Sequence, residues 1–238
     1  QAMIVALRAD STYSDKIVAS LKRFTFVTEL APGRLVLHDN VREQLLNRLR
    51  ADPIRFKEIN TRALTEFQRR LVNKRDEASE REAVFHQLVA DPPAALREVE
   101  RLFDEAEANH RLTECELLVK LLGEREGANL DDWANYYIGR LDYSNGHLNE
   151  ARETFVTLIS NKELESDLAA RVRLALGRVE TRFGHWLESI ALYENCVQHF
   201  QQVHDETHVG LATFEIANAY ADFALNAKGE FRPRYGSP

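Results

Sequence analysis

Two stretches of the chain, residues 133–159 (WANYYIGRLDYSNGHLNEARETFVTLI) and 171–197 (RVRLALGRVETRFGHWLESIALYENCV), share one spacing of special residues. In each, a glycine (Gly139, Gly177) is followed seven residues later by another (Gly146, Gly184) and sixteen residues later by a bulky aromatic (Phe155, Tyr193). Self-similarity at 30 to 45 residues marks an array of small units that bury their apolar faces on one another. Apolar residues within each unit recur at helical period, so each reads as two helices joined at the second glycine. The first glycine lets the helices approach closely, and Ala151 with Phe155 supplies the packing face of the second. A weaker third copy begins at residue 211 (LATFEIANAYADFAL), with Ala217 at the first-glycine position and Tyr220 three beyond it. The steps between copies are 38 and 40 residues.

Upstream the pattern changes. Residues 15–24 place Ile17, Val18, Leu21 and Phe24 on one helical face, and FTFVTEL then alternates like a strand. APGR, with Pro32 before Gly33, suits a type II turn, and LVLH returns as a second strand. Asp39 is placed to cap the next helix, in which Val41, Leu45, Leu46 and Leu49 form the apolar stripe. That helix should stop near Ala51 and Asp52, because Pro53 cannot continue it but suits the first position of another. Further helices are expected over 53–73, burying Phe56, Ile59, Ala63, Phe67 and Leu71, and over 77–89, 93–109 and 112–122. The expected fold class is all-α, with repeated α-α hairpins in a superhelix preceded by a partial winged-helix unit with one small β-hairpin. The expected segments are a partial winged helix over 1–52, a helical connector over 53–110 and the repeats over 111–238.

Composition supports long helices joined by short turns. Of 238 residues 44% are hydrophobic, which is enough for folded cores, while only six prolines and ten glycines interrupt the chain. No run approaches the ~20 apolar residues of a membrane span, and no signal peptide opens the sequence, so a soluble, cytoplasmic protein without membrane contact is expected. Cys115 and Cys196 lie in amphipathic helical stretches and read as buried free thiols. The net charge of −7 conceals a basic run: residues 42–75 hold ten Lys or Arg against four Asp or Glu, which leaves the remainder at −13. Its two aromatics, Phe56 and Phe67, fall on the stripe expected to be buried and do not interleave with the cations on the exposed face. A solvated face or an intramolecular docking surface therefore explains it better than nucleic-acid contact.

The repeats fit the tetratricopeptide pattern, and the segment RFTFVTELAPGRLVLHDNVREQLLNRLRADPIRF resembles the winged helix of STAND-class signalling NTPases, relatives of the NB-ARC proteins. The signature is LHDNVRE, residues 37–43. In that family a Met-His-Asp or Leu-His-Asp triplet closes the winged helix onto bound nucleotide, and the resemblance gives His38 the contact with the β-phosphate of ADP in an intact protein. EAVFHQLV, residues 82–89, is similar to a Tyr-His-Leu-Leu element that precedes tetratricopeptide sensors in bacterial members. The resemblance implies an ATP-driven switch whose motor, with its ADP or ATP, lies outside these residues. No G-x-x-x-x-G-K-[ST] loop occurs here, so the chain by itself is expected to bind no cofactor and to be no enzyme. The uncapped end GEFRPRYGSP and a winged helix without its first helix lead to the expectation of a longer parent protein.

In tetratricopeptide arrays the ligand lies on the first helices, at positions two, five, nine, twelve and thirteen. With Gly139 and Gly177 as position eight, the candidate partner-binding residues are Trp133, Tyr136, Arg140 and Tyr143, then Arg171, Arg178, Thr181 and Arg182. Aromatics beside arginines suit an acidic protein or peptide. The plain alternative is that these arginines only solvate the groove. Cys196, His199, His204 and His208 lack a recognised zinc spacing, and no arrangement of nucleophile, base and acid stands out from a chain rich in Glu and Arg. The leading expectation is the regulatory and sensor arm of a STAND-type ATPase, contacting its NTPase module within the molecule. The alternatives are a free-standing adaptor and a winged-helix transcription regulator, the latter disfavoured by an acidic chain and a recognition helix offering only Lys16 and Lys22.

Overall fold

The computed structural model describes residues 19–31, 34–73, 76–123 and 130–227. Among them are one β-hairpin and ten α-helices, so the architecture is all-α with a small two-stranded ribbon. The chain divides into two compact units, Gln1–Glu105 and Ala106–Pro238. The expected winged-helix and connector segments thus share one unit, and the boundary falls just before residue 110.

In the first unit β1 (Val27–Ala31) pairs antiparallel with β2 (Arg34–Leu37), Val27 opposite Leu37, with an irregularity between Glu29 and Ala31. The expected Pro32–Gly33 turn lies outside the described residues, as does most of the helix expected over 15–24, of which residues 19–21 are helical. Helix α1 (Asp39–Arg50) corrects one expectation: His38 holds the cap position without a side-chain bond, and Asp39 is the first helical residue, ion-paired to Arg42 at 3.3 Å. A carboxylate one residue inside the helix still meets the positive end of the helix dipole. No residue of α1 is fully buried, so its apolar stripe is only partly covered.

Helix α2 (Pro53–Asn73) begins at the proline as expected, with the Asp52 carboxylate accepting the Arg55 N–H at 3.1 Å. Helix α3 (Glu77–Ala90) is capped by Asp76, which accepts from Ser79 N–H at 2.9 Å. These helices close on Leu64, Phe67 and Ala83, and across them Asn60 Oδ1 meets His86 Nδ1 at 2.9 Å while the His86 ring stacks on Phe67. Part of the basic run is neutralised locally, at Arg42, Arg62, Arg69 and Arg70. Buried Glu66 accepts from both Arg69 and Arg70 at 3.0 Å, and those two cations hold its carboxyl below the ordinary value.

The second unit is a stack of helical hairpins. Helix α4 (Pro92–Ala108) leads into it, followed by α5 (Leu112–Gly123), α6 (Leu130–Asn145), α7 (Leu148–Ser160), α8 (Ser166–Phe183), α9 (Trp186–Gln202) and α10 (Glu206–Ala227). Each helix from α5 onward packs on the next, and the first helices α6, α8 and α10 also touch in succession. The expected glycine–aromatic pairs are present. A Cβ on Gly139 would lie 2.5 Å from the Phe155 ring, and one on Gly177 would lie 2.4 Å from Tyr193. Gly146 and Gly184 take the left-handed turn conformation, with φ of 83° and 82°. Two further turns use the same device without glycine: His110 and His204 have φ of 55° and 58°. In all four turns the next N–H reaches back five residues, as in Arg111 to Ala106 at 2.8 Å and Asp205 to Phe200 at 2.9 Å. The turn at His110 thus has the same backbone form as the glycine turns. Sequence reading missed that form because histidine stands where the glycine turns carry Gly146 or Gly184. The core of the later hairpins gathers Ala170, Leu174, Ile190, Tyr193, Cys196, Phe200, Ala212 and Ala219.

Candidate partner-binding face

The first helices are linked to one another by polar side chains at near-repeat intervals. Arg140 of α6 donates to Glu107, and Ser144 Oγ donates to the same carboxylate at 2.6 Å. Arg178 of α8 donates through Nε to Glu215 of α10 at 2.8 Å. The Arg182 guanidinium lies over the Tyr143 ring at 5.8 Å, and Arg171 lies over Trp133 at the same distance. The candidate residues of α6 and α8 thus meet across one seam, as equivalent positions of stacked hairpins must.

Burial divides them. Trp133 and Tyr136, expected as exposed anchors, are 5% and 6% exposed and belong to the core, where Tyr136 packs against Tyr137 and Phe155. Arg171 is buried as well, at 8%. The physical reason is that these hairpins stack closely enough for the early positions of each first helix to be covered by the next. Arg140 keeps 12% of its side-chain surface and Arg178 28%, while Arg182 is exposed and Tyr143 and Thr181 are half-buried. The part of the face that remains open is therefore Tyr143, Arg178, Thr181 and Arg182, with Arg140 at its edge. Burial raises the Tyr143 hydroxyl pKa despite the cations Arg182 and Arg178 beside it, so the phenol stays neutral and can donate.

Arg140 and Arg178 already have carboxylate partners. Arg178 takes Glu215, while Glu180, 3% exposed, accepts from Arg152 at 2.7 Å and from His185 at 2.6 Å. Glu180, His185 and Glu188 bring three donor atoms together, but Arg152 and His185 already engage Glu180, so the cluster reads as a turn clamp. Cys196 donates its thiol to Tyr193 O at 3.1 Å in the core, and burial pushes the thiols of both Cys115 and Cys196 up to about 11. His204 is exposed in its turn and Cys196 is buried, and neither belongs to a group of three or more ligating side chains among the described residues.

His38 in the first unit is exposed at the β2–α1 junction, its N–H bonded to Phe26 O at 2.9 Å and its Nε2 3.5 Å from Thr28 Oγ1. In the same unit a cleft of about 390 Å³ is lined by Gln68, Glu80, Gln87, Arg97 and Arg101, with Leu71 among its apolar residues. Arg101 is held there by Glu98 at 2.7 Å and Glu105 at 3.0 Å. Sequence reasoning missed Glu107 and Glu215 as partners of the arginines; their spacing of 37 residues from Ser144 and Arg178 was the available signal. Among the described residues no helix is long and apolar enough to cross a membrane. No family model, curated protein or solved structure matches this chain.

Proposed function

We propose that this chain is a partner-binding arm in which a tetratricopeptide-type array receives an acidic protein or peptide segment on its first-helix face. The observation that carries this reading is the cluster of Arg178 and Arg182 beside Tyr143, in which two cations and an aromatic ring remain partly open to solvent on one seam. Arg and Tyr together are the side chains most able to give a small contact its binding energy. Glu215 on Arg178 supplies an internal example of the carboxylate chemistry such a ligand would bring. It also competes with that ligand.

A fluorescein-labelled peptide of glutamates and aromatics should bind the chain with an affinity that falls as salt rises, while its lysine counterpart should not. Glu215→Gln should tighten the acidic peptide by about threefold to tenfold, because Arg178 no longer has a charged competitor, and Arg182→Gln should weaken it. Equal binding of the glutamate and lysine peptides would overturn the reading.

The wider setting we propose, a regulatory arm of a STAND-type ATPase, rests on the resemblance of residues 37–43. In a protein carrying that NTPase module, His38→Ala should speed ADP release by about tenfold, the scale of one charge-assisted hydrogen bond. Unchanged ADP retention would remove His38 from that role.

A further inference from the structure

The seam between α8, α9 and α10 encloses a polar cluster that the binding reading does not use. From α8 come Asp167 and Arg171, from α9 His199, from the α9–α10 turn Asp205, and from α10 His208. Arg171 donates through Nε to Asp167 at 2.9 Å, and its second nitrogen faces His208 Nε2 at 3.1 Å. His208 Nδ1 faces Asp205 Oδ2 at 2.7 Å, and the imidazole packs on the Phe200 ring at 4.8 Å. His199 Nε2 lies 3.4 Å from Asp167, and Trp133 of α6 covers the guanidinium from the other side.

Only one protonation state satisfies this geometry. A guanidinium has no acceptor, so the contact at Nε2 needs a lone pair there, and the contact at Nδ1 needs a proton to give to the carboxylate. The structure assigns His208 as a proton-sensitive latch: uncharged, it joins α10 to Arg171 and Asp205, and a second proton on its ring sets two cations face to face and releases α10 from α8 and α9. Release would also part Glu215 from Arg178, since Glu215 rides on α10.

The balance of charges agrees with the neutral resting state. Burial and Arg171 hold the imidazole below its ordinary value, against the opposing pull of Asp205 and Asp167. Asp205 is itself lowered, by bonds from the His208 backbone and ring and by Arg171, so it remains charged while the histidine titrates. The sign of the linkage follows. As pH falls through about 6.5 the unfolded chain takes up a proton at His208 that the latched form refuses, so the latch is complete above the ordinary histidine range and is lost as pH falls toward the lowered value.

The test uses the full chain. Amide exchange over residues 206–227, corrected for intrinsic chemistry and referred to α6, should quicken by about tenfold between about pH 7.5 and about pH 5. His208→Gln keeps an acceptor and a donor but cannot titrate, so its α10 should exchange at one rate across that range. His199→Gln should retain the acid step. Because His208→Gln could fold poorly for other reasons, the His208 Cε1–H shift in the wild-type chain gives a second reading, with a midpoint below about 6.5 that coincides with the loosening of α10. An acid step that survives in His208→Gln, disappears in His199→Gln, or fails to track the His208 midpoint would overturn the assignment.

Discussion

Replacing Gly177 by alanine is expected to lower the stability of the hairpin stack by about 3 kcal/mol or more, although it adds one methyl group in a helix. The new Cβ would sit 2.4 Å from Tyr193 Cε1, 2.8 Å from Cδ1 and 2.9 Å from Cζ, all inside van der Waals contact. The ring cannot yield. Tyr193 is fully buried in the cluster with Leu174, Ile190 and Phe200, and its hydroxyl is held 3.2 Å from Thr181 Oγ1. Relief therefore requires α8 and α9 to separate, which opens the core that makes them a hairpin. In a unit of this size the midpoint of thermal unfolding should fall by roughly 10 °C. Gly139→Ala should act the same way through Phe155, whereas Gly210→Ala meets no atom within 4 Å and should be neutral or stabilising by about 0.5 kcal/mol. Thermal scans of the three variants decide the matter: similar midpoints for Gly177→Ala and Gly210→Ala would mean that close approach is not what the glycine provides.

The second large effect is expected at Arg171. Arg171→Met keeps much of the side-chain volume but strips Asp167 and Asp205 of their buried cation and removes the donor to His208. Breaking a buried ionic cluster from one side costs about 3 kcal/mol, chiefly because the carboxylates lose their partner, and the partial exposure of Asp167 and Asp205 keeps the cost from being larger. Lysine should recover little of it. Its single ammonium cannot direct separate N–H groups at Asp167 and His208 while stacking a flat face on Trp133. The midpoint of urea unfolding measures both variants, and full recovery by Arg171→Lys would show that charge alone suffices there. The guanidinium is otherwise confined: burial lowers its pKa against the pull of Asp205.

Gly139, Gly177, Phe155 and Tyr193 show how far local pattern reaches. Their spacing states a contact within one hairpin, a few residues either side of a turn, where chain connectivity leaves little freedom about which surfaces meet. The helix starts at Pro53 and Glu77 were legible for the same reason, since caps and prolines act within a single turn. The left-handed backbone at His110 and His204 was not, because histidine takes that conformation less often than glycine and most histidines do not mark a turn.

What the sequence determined by itself was the all-α class, the hairpin period, the glycine–aromatic pairs and the helix that carries each candidate arginine. Tertiary structure alone decided which of those residues remained available: stacking closed over Trp133, Tyr136 and Arg171, left Tyr143 and Arg182 accessible, and supplied Glu107 and Glu215 as the arginines' partners. The physical reason is that helical period places a side chain on a face but says nothing of how closely the next hairpin approaches that face. Burial and pairing there depend on residues some 37 positions away, across a distance that only the packed chain brings within hydrogen-bond range.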